Sequence, residues 1–547
     1  MNGISYVMPF VVAMIGAMAT LPFLAKLAQR WRIVDHPGQR KIHSAPIPRI
    51  GGLAMALGVF VAAGVAIRLE VADRWFLSAA GVLVVFGALD DRYDLNYRIK
   101  FAGQLLAVAM VVFAGDVQIH ALTLDDRYML PQWVALPLTI VFLVGITNAV
   151  NLADGLDGLA GGTTFLSLSA VALLPGGGAH STNTALCFAF AGAVLGFLRF
   201  NTYPAAVFMG DAGSQLLGFA VGVLSIRATQ SLASQVSTAI PVLLLAIPIL
   251  DTLSVMVQRL SEGRSPFSAD KNHIHHKLLA LGFGHHEAVM VIYVMQASLF
   301  IMAYCLRYES DLLILAFVTA FFVLSITVMQ LAAHRDWRSP GAEKGVDSVS
   351  LLWDVVQRPA LLPRMSYLAI LVGLAGYAAP IVFETVALGS DVRVLILALF
   401  AVTMSLLVIL RAGPLSVVEK ATLYVTATVL VYLDAFVLPS NRLLSMISWT
   451  AMGLTALATA VRLRMNIDRR FQVTPLDLIV LFMALVVPSL PGVAALPHGG
   501  ALTISKLLIL FYAIEVLMSR TEGRAVWVRL CVAAILAGLA VRPLVPF

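Results

Sequence analysis

The chain has 547 residues, of which 60% are hydrophobic and only 12% are charged. A soluble domain carries roughly a quarter charged residues, so this composition excludes a water-soluble globular protein. The apolar residues form runs of about 20 and not the alternation of a membrane β-barrel. The predicted fold class is therefore an all-α polytopic membrane protein in a lipid bilayer.

The net charge of +7 does not indicate a nucleic-acid partner, because the basic residues fall in alternate loops between the apolar runs. This is the distribution that the positive-inside rule describes. It predicts that the chain starts outside and that one set of loops is cytoplasmic, near residues 29–50, 90–100, 150–157, 200–210 and 259–286.

In chain order, we predict about eleven transmembrane helices within residues 1–335, which form the first domain. They lie near 4–28, 51–69, 75–90, 99–115, 132–150, 158–175, 184–199, 211–227, 238–258, 287–305 and 311–333. Between two of them, residues 117–130 alternate weakly and predict a small exterior hairpin. Residues 336–363 are polar and predict a cytoplasmic linker.

About seven further apolar runs follow within residues 364–547, and the sequence does not reveal their role. They start near residues 365, 392, 417, 443, 475, 502 and 526. Few acids lie near or within these runs. We interpret each as an interfacial side chain or a satisfied packing contact: Glu384, Asp434, Asp477 and Glu515.

The most informative segment is residues 148–157, which read NAVNLADGLD at the end of an apolar run. Polar groups at this depth are costly and are a functional-site hypothesis by default. The polar positions are three residues apart and would share one helix face, although the glycines that follow indicate that the helix ends there. Such oxygen donors suit Mg²⁺. A helix cap would explain one of these residues, but not all four: Asn148, Asn151, Asp154 and Asp157.

Two more acidic clusters stand at the ends of other apolar runs, in residues 89–94 (LDDRYD) and 208–214 (FMGDAGS). Adjacent carboxylates such as Asp90 and Asp91 repel each other unless a cation or hydrogen-bond donors compensate. Asp211 alone would be read as a helix N-cap. At a helix N-terminus among small residues, it also suits a complex of a phosphate and a metal ion.

The predicted cytoplasmic loop contains residues 265–277, which read SPFSADKNHIHHK. Its histidines could ligate zinc, but no cysteine lies nearby to complete such a site. Together with Lys271 and Lys277, they make an equally good clamp for an anion. We favour the phosphate-contact interpretation.

Taken together, residues 1–335 resemble the polyprenyl-phosphate N-acetylhexosamine-1-phosphate transferase family, glycosyltransferase family 4. The resemblance rests on five blocks in the family's order: residues 35–52, 89–94 with Lys100 and Gln104, 148–158, 208–214 and 273–278. It implies that a UDP-sugar donates a sugar 1-phosphate to undecaprenyl phosphate, with Mg²⁺ as cofactor (Mn²⁺ as a substitute) and UMP as product. It also implies a bacterial inner membrane protein, a site that faces the cytoplasm, and a homodimer.

Within the family, residues 46–52 (PIPRIGG) look like the branch that uses UDP-GlcNAc to start O-antigen, teichoic acid or exopolysaccharide synthesis. The branch that handles UDP-MurNAc-pentapeptide in peptidoglycan synthesis usually reads TMGG at this point. That branch stays open as an alternative, as does a lipid transporter or a scaffold without activity. A transporter's intramembrane acids should lie near mid-bilayer on broken helices, whereas these acids cluster at helix ends.

The resemblance also implies roles for individual residues. Lys100 would bind the diphosphate, Asp157 and Phe208 would hold the uracil, and the histidines would lie over the diphosphate and sugar. The expected catalytic residues are Asp90, Asp91, Asp154, Lys100, His273, His275 and His276; the expected substrate-binding residues are Asp157, Phe208, Asn148, Arg49, Arg264 and Lys271; and the expected metal ligands are Asp211 and Asn151.

Two mechanisms are open at this point: direct attack by the lipid phosphate, or a covalent aspartyl-phosphate intermediate. A phosphate monoester has its second pKa near ~6, so at neutral pH the acceptor is mostly a dianion. A general base then has little to do, and the larger obstacle is to bring two anions together. We therefore expect direct attack. Whether Asp90 or Asp91 would act as the base is not decided by the sequence.

Overall fold

The computed structural model describes residues 7–35, 46–174, 182–231, 234–265, 273–335, 361–383, 390–409, 417–434, 442–464, 475–485, 500–518 and 525–541. The chain divides into two compact units. The first comprises Met1–Val346 with Thr474–Ile479, and the second comprises Asp347–Val473 with Val480–Phe547. Most of the predicted linker, residues 336–360, lies outside the described residues.

Helices make up almost all of the described structure before residue 336, as the sequence predicts. They are α1 (Val7–Trp31), α2 (Gly51–Ala66), α3 (Val71–Tyr93), α4 (Tyr97–Ala109, extended by a π-helical turn Met110–Ala114), α5 (Gln132–Ala153), α6 (Leu159–Leu173), α7 (Thr182–Asn201), α8 (Gly210–Gln230), α9 (Ile240–Leu244), α10 (Ala246–Ser261), α11 (Ile274–Ala280), α12 (His285–Cys305) and α13 (Asp311–His334). Two hairpins interrupt them: β1 (Val34–Asp35) with β2 (Ile47–Pro48), and β3 (Ala121–Thr123) with β4 (Arg127–Met129).

Eight helices within the described residues are long and apolar enough to cross a bilayer. Seven of them precede residue 335 and one follows residue 364, while other apolar helices, such as α2 and α6, are shorter. The chain is thus a multi-pass membrane protein. The prediction of about eleven and about seven transmembrane helices is therefore confirmed only in part, because the other predicted spans among the described residues are not in this set of eight.

One predicted span, residues 238–258, is wrong as a single helix. The structure divides it into α9 and α10 at Leu245. The reason is Pro248, which has no N–H to donate and whose ring clashes with the carbonyl four residues earlier. That carbonyl belongs to Leu244, the last residue of α9.

Helices α6, α7 and α8 form the centre of the first unit. Every residue of α6 is buried, and nearly every residue of α7 and α8 is buried as well. A helix that is apolar all round belongs inside a bundle. Helices α1, α2, α3, α5 and α12 pack against this centre.

The hairpin predicted within residues 117–130 is confirmed, with Leu122 opposite Tyr128 in an antiparallel register. It is tied to the bundle by side chains from distant helices. Gln230 at the end of α8 accepts from the N–H of Ala121 (3.0 Å), and Asp311 at the start of α13 accepts from the N–H of Thr123 (2.7 Å). These contacts hold the loop between α4 and α5 against the end of α8.

The second unit contains α14 (Leu361–Phe383), α15 (Ser390–Ile409), α16 (Val417–Tyr432), α17 (Arg442–Arg464), α19 (Gly500–Met518) and α20 (Ala525–Ala540), and α18 (Pro475–Leu485) extends into it. All seven helices coincide with predicted runs. Asp434 accepts from Lys506 (2.7 Å), Tyr377 (3.0 Å) and Ser448 (3.2 Å), so it is a satisfied contact, as expected. Glu384 and the side chains of Asp477 and Glu515 lie outside the described residues.

A buried ion pair fixes the ends of α3 and α8 that lie far from the acidic clusters. Arg227 on α8 donates to Asp73 on α3 at 2.7 Å, and the Asp73 side chain is fully buried. Removal of one partner from a buried pair leaves an uncompensated charge. This pair therefore sets how α3 and α8 lie along each other.

Asp73→Ala should lower the free energy of unfolding by about 3 kcal/mol, because it leaves the Arg227 guanidinium, which is only 19% exposed, without its partner. The double variant Asp73→Ala/Arg227→Leu should recover part of that loss. Thermal unfolding in detergent micelles measures both. The matched control is Glu262→Gln, which removes an exposed ion pair with Arg264 and should cost about 0–1 kcal/mol. Equal losses in the two single variants would contradict the buried-pair interpretation.

Candidate active site

The three acidic clusters, which are distant in sequence, meet at one end of the first unit. Asn151 near the end of α5 donates from Nδ2 to Asp211 Oδ1 on α8 (3.0 Å). Lys100 on α4 lies 3.1 Å from Asp211 Oδ2 and also forms an ion pair with Asp90 near the end of α3. Four helix ends thus contribute to one hydrogen-bonded group of charged and amide side chains.

Asp91 caps the start of α8. Its Oδ1 accepts from the N–H of Asp211 (2.9 Å) and its Oδ2 accepts from the N–H of Ala212 (3.1 Å). The first N–H groups of a helix have no partner within the helix, and the helix dipole favours a negative charge there. Asp211 is therefore not its own helix's N-cap. Both Asp91 oxygens are held by backbone N–H groups, whereas Asp90 accepts from the N–H of Leu95 with Oδ1 (2.7 Å) and pairs with Lys100 through Oδ2.

Two glycines allow the start of α8 to come this close. A Cβ on Gly52 of α2 would lie 2.2 Å from the nitrogen of Gly213, and a Cβ on Gly87 of α3 would lie 2.4 Å from Cα of Ala212. Any larger residue at either position would push α8 away. Since α8 carries Asp211, the glycines help to determine where its carboxylate lies.

Asn148 does not join the other polar residues of α5 around Asp211. Its Nδ2 donates to Gln104 Oε1 (2.7 Å), and Gln104 Nε2 in turn contacts Asn148 Oδ1 and Gln215 Oε1 (both 3.2 Å). These amides connect α4, α5 and α8 beneath the charged group. This pairing favours a structural role for Asn148, which joins helices, over the expected contact with substrate.

The expectation that four polar residues share one helix face holds only for Asn148 and Asn151, because α5 ends at Ala153. Beyond that end, Asp157 Oδ2 accepts from the N–H of Ala205 (2.9 Å), and its own N–H donates to His285 Nε2 (3.0 Å). Asp154 lies in the same turn. Burial, followed by the nearby charges of Asp211 and Asp91, raises the pKa of Asp154 to about 7.

The segment after α1 returns to the site by backbone pairing. The N–H of Phe208 donates to the carbonyl of Pro48 (2.8 Å), and the N–H of Gly51 donates to the carbonyl of Phe208 (3.0 Å). Between them, Arg49 forms an ion pair with Asp35, and its side chain remains 38% exposed. Arg49 and Phe208 are therefore adjacent, at the start of α8.

The histidine segment, His273 to His276 at the start of α11, is held by a carboxylate that the sequence analysis did not identify. Asp251 on α10 is buried, and its Oδ2 lies 2.8 Å from His273 Nδ1 while its Oδ1 accepts from the N–H of Ile274 (2.7 Å). A carboxylate in this position fixes the orientation of the imidazole. The signal was present, because Asp251 is the one acid in the apolar run 238–258 and intramembrane acids call for an explanation.

The histidine segment also contacts the turn after α5. A Cβ on Gly155 would lie 2.3 Å from His275 Nε2, so only glycine admits this ring. Burial, then the neighbouring His276, lowers the pKa of His275 to about 4, which makes it neutral at pH 7. Any positive charge in an anion clamp must then come from other residues.

Two expected substrate-binding residues remain, Arg264 and Lys271. Arg264 is exposed and pairs with Glu262 (2.8 Å), and Lys271 lies outside the described residues. Among the residues that the structure describes, no three His, Cys, Asp or Glu side chains gather as a ready metal cluster. The zinc interpretation of the histidines thus gains no support.

Comparison with known proteins identifies the family of this chain. Residues 74–229 match Glycosyl transferase family 4, a range that holds all three acidic clusters. A relative from Bacillus subtilis (strain 168), named "Probable undecaprenyl-phosphate N-acetylglucosaminyl 1-phosphate transferase", is 38% identical over 296 residues, which are 53% of this chain and 82% of the relative. The chain belongs to glycosyl transferase family 4.

Other members of the family agree. The decaprenyl-phosphate N-acetylglucosaminephosphotransferase of Mycolicibacterium smegmatis is 35% identical over 299 residues, 49% of this chain and 74% of the relative. The undecaprenyl-phosphate alpha-N-acetylglucosaminyl 1-phosphate transferase of Escherichia coli (strain K12) is 32% identical over 316 residues, 55% of this chain and 85% of the relative. All three relatives are named as transferases of an N-acetylglucosamine phosphate group to a polyprenyl phosphate, and about half of this chain matches them.

The raised pKa of Asp154 predicts how the stability of this family member depends on pH. The folded protein holds the Asp154 proton more tightly than the unfolded chain does, so this stabilisation is present at low pH and is lost as the pH rises through about 7. In the presence of a metal chelator, the unfolding temperature of the wild-type protein should decrease between about pH 5.5 and about pH 8. Asp154→Asn should make this decrease with pH smaller. Asp125→Asn, in the exposed turn between β3 and β4, is the control. An unchanged slope in Asp154→Asn would contradict the assignment.

Proposed function

We propose that this protein transfers GlcNAc-1-phosphate from UDP-GlcNAc to undecaprenyl phosphate at the cytoplasmic face of a bacterial inner membrane, and that it releases UMP. This reaction would initiate the synthesis of a cell-surface glycan. The observation that carries the proposal is the group formed by Asp90, Lys100, Asn151 and Asp211, which combines carboxylates, an amide and an ammonium group at one point. Membership of the family and the names of the relatives support the choice of GlcNAc.

The donor set of this group fits a divalent cation. The Asp211 carboxylate is 31% exposed, so it remains accessible, and Asn151 lies beside it. Mg²⁺ typically takes one or two protein oxygens and fills its other positions with water and substrate phosphates. Asp211 and Asn151 would hold Mg²⁺, or Mn²⁺ as a substitute, and the bound ion would neutralise charge on the diphosphate.

The chain's own cations address the main obstacle, which is the approach of one anion to another. Lys100 is 29% exposed and already lies between two carboxylates, so it can turn one N–H toward a phosphate. Arg49 is exposed on the other side of the start of α8. We propose that Lys100 contacts the diphosphate of the donor and that Arg49 contacts a phosphate of either substrate.

We propose direct attack. An oxygen of the lipid phosphate forms a bond to the sugar-bearing phosphorus, the bond from that phosphorus to the UMP oxygen breaks, and UMP leaves with the electron pair. Asp90 orients the acceptor or takes its residual proton. Asp91 acts as a positioning residue, because its carboxylate is committed to the backbone of α8. Recovery of a phosphorylated Asp90 or Asp91 after mixing with UDP-GlcNAc alone would overturn this mechanism.

The nucleotide would lie between the turn after α5 and the start of α8. Asp157 already orders this region by accepting from the N–H of Ala205, and its second oxygen would receive the uracil N–H. Phe208 would stack on the base. The sugar would lie beneath His273, His275 and His276, with His273 oriented by Asp251. We also propose that the protein forms a homodimer, and none of the substrate contacts given above depends on the second subunit.

The decisive assay measures UMP release by the purified protein with undecaprenyl phosphate, Mg²⁺ and a panel of UDP-sugars. UDP-GlcNAc should be the best donor. A preference for UDP-MurNAc-pentapeptide would move the protein to the peptidoglycan branch. No UMP release with any donor would overturn the proposed function.

Asp211→Asn should lower kcat by about 100-fold, since it removes the one carboxylate that the group offers to a metal ion. The loss should be smaller at high Mg²⁺ if the amide still binds weakly. UMP release over a range of Mg²⁺ concentrations measures this. Asp94→Asn is the control, because Asp94 is exposed at the end of α3 with a left-handed backbone that Asn tolerates. Near-normal turnover of Asp211→Asn at low Mg²⁺ would contradict the assignment.

Lys100→Ala should raise KM for UDP-GlcNAc by about tenfold, the effect of one lost charge-assisted hydrogen bond to a phosphate. Arg98→Ala is the matched control, since Arg98 is an exposed cation two residues away on the same helix. Initial rates over a range of UDP-GlcNAc concentrations distinguish the two variants. If KM did not change in Lys100→Ala, the lysine would have no part in holding the donor.

A further inference from the structure

The first half of α12 holds the turn that carries Asp157. The N–H of Asp157 donates to His285 Nε2 (3.0 Å), and the Tyr293 hydroxyl donates to the carbonyl of Gly158 (2.7 Å). Tyr293 is buried, and a Cβ on Gly162 of α6 would lie 2.0 Å from its hydroxyl oxygen, so α6 needs a glycine at this position. Two side chains of one helix therefore hold both ends of the dipeptide Asp157–Gly158.

Further contacts of this dipeptide come from the end of α7 and the segment that follows it. The N–H of Gly158 donates to Asn201 Oδ1 (2.9 Å), and Asp157 Oδ2 accepts from the N–H of Ala205 (2.9 Å). Gly158 has a φ of +82°, a left-handed backbone that glycine adopts readily. Because the conformer of a side chain depends on its backbone, the contacts that fix this turn also fix the direction of the Asp157 carboxylate.

His285 is a neutral imidazole in this arrangement. Because its Nε2 accepts an N–H, that nitrogen carries no proton, and the ring proton lies on Nδ1. Within the part of the chain that the structure describes, the bond to Asp157 is the ring's one hydrogen bond, and the buried Nδ1 has no partner. The ring also stacks on Tyr203, with 4.5 Å between the ring centroids. His285 thus supplies one acceptor and one ring face, and substitution can remove the first while it keeps the second.

We propose that His285 and Tyr293 are positioning residues for the recognition of uracil, an inference that rests on the proposed function. They hold the backbone around Asp157 so that its second carboxylate oxygen points at the N3–H of the base. Cytosine has no hydrogen on N3 and presents a lone pair there, which a carboxylate repels. A site built to bond an N–H rejects the analogue that lacks it. The two residues of α12 therefore set the preference for uridine nucleotides through Asp157, without contact to the base.

The test compares UMP with CMP, which differ only in the base, by calorimetry on the purified full-length protein with Mg²⁺. The wild-type protein should bind UMP more tightly than CMP. His285→Phe keeps a ring against Tyr203 and removes the acceptor, so it should weaken UMP binding by about tenfold, the effect of one lost hydrogen bond, and leave CMP binding unchanged. His285→Gln places an amide oxygen near the position of Nε2 and should restore UMP binding to within about threefold of wild type.

The UMP-release assay adds a second readout. Because the base lies away from the reacting phosphorus, the contacts to it are the same in the ground state and the transition state. His285→Phe should therefore raise KM for UDP-GlcNAc by about tenfold and leave kcat unchanged. A fall in kcat with KM unchanged would contradict a role in holding the base.

His286→Phe is the matched control. His286 is the next residue of α12 and lies edge-on to Tyr203, with 4.7 Å between the ring centroids. Neither of its ring nitrogens has a hydrogen-bond partner among the residues described. This variant removes a neighbouring imidazole and leaves the contact to Asp157 intact, so it should bind UMP and CMP as the wild-type protein does. A loss of UMP binding equal to that of His285→Phe would assign the effect to packing and overturn the proposal.

The other outcomes also decide the proposal. It is wrong if His285→Phe binds UMP like wild type, if UMP and CMP lose affinity equally, or if His285→Gln restores nothing. If His285→Phe fails to fold, Tyr293→Phe replaces it, because it removes only the hydroxyl that holds Gly158. That variant should weaken UMP binding by about threefold, with CMP binding unchanged. Wild-type affinity for UMP in Tyr293→Phe would then overturn the proposal.

The binding measurements separate this inference from the proposed function. If the wild-type protein released no UMP with any donor but bound UMP in preference to CMP, the proposed transferase activity would fail, and the variants would still test the positioning of Asp157. If it bound UMP and CMP equally, the inference would fail whatever the turnover. Normal UMP release by a protein whose His285→Phe variant binds UMP like wild type would reject the inference alone.

Discussion

The structure of the first unit depends on the balance of charge where α3, α4, α5 and α8 end or begin. Three carboxylates, Asp90, Asp91 and Asp211, lie within one connected group. Their mutual repulsion is offset by one ammonium group, Lys100, and by the positive N-terminus of α8. Asp90 and Asp211 share Lys100, whereas Asp91 is held by two backbone N–H groups, so the three acids share one site but not one environment.

This division of partners has a chemical consequence. Asp91 is held by two backbone N–H groups and cannot easily change its contacts. Asp90, Lys100 and Asp211 contact each other through side chains, and two of the three remain partly exposed. The arrangement therefore separates a fixed part, which positions α8, from an adaptable part that substrates can reach.

The support for this group extends well away from it. The amides of Gln104, Asn148 and Gln215 join three helices directly beneath the charged side chains. On the far side, the Asp73–Arg227 pair fixes α3 against α8. Because α3 and α8 are held at both ends, the charged side chains that they carry are kept in place relative to each other.

The sequence by itself determined the membrane class, nearly every helix, the hairpin between α4 and α5 and the residue types of the site, because hydrophobic periodicity and polar residues at helix ends are local signals. It did not determine the break at Leu245, although Pro248 carried the cause. The glycines after Asp154 did indicate the end of α5, which the structure places at Ala153, so Asp154 and Asp157 do not lie on the helix face. Only the tertiary structure decided which acid caps α8, that Asn148 pairs with Gln104, and that Asp251 orients His273. These partners are separated by tens of residues in the chain, and no local pattern records a contact that depends on how helices pack.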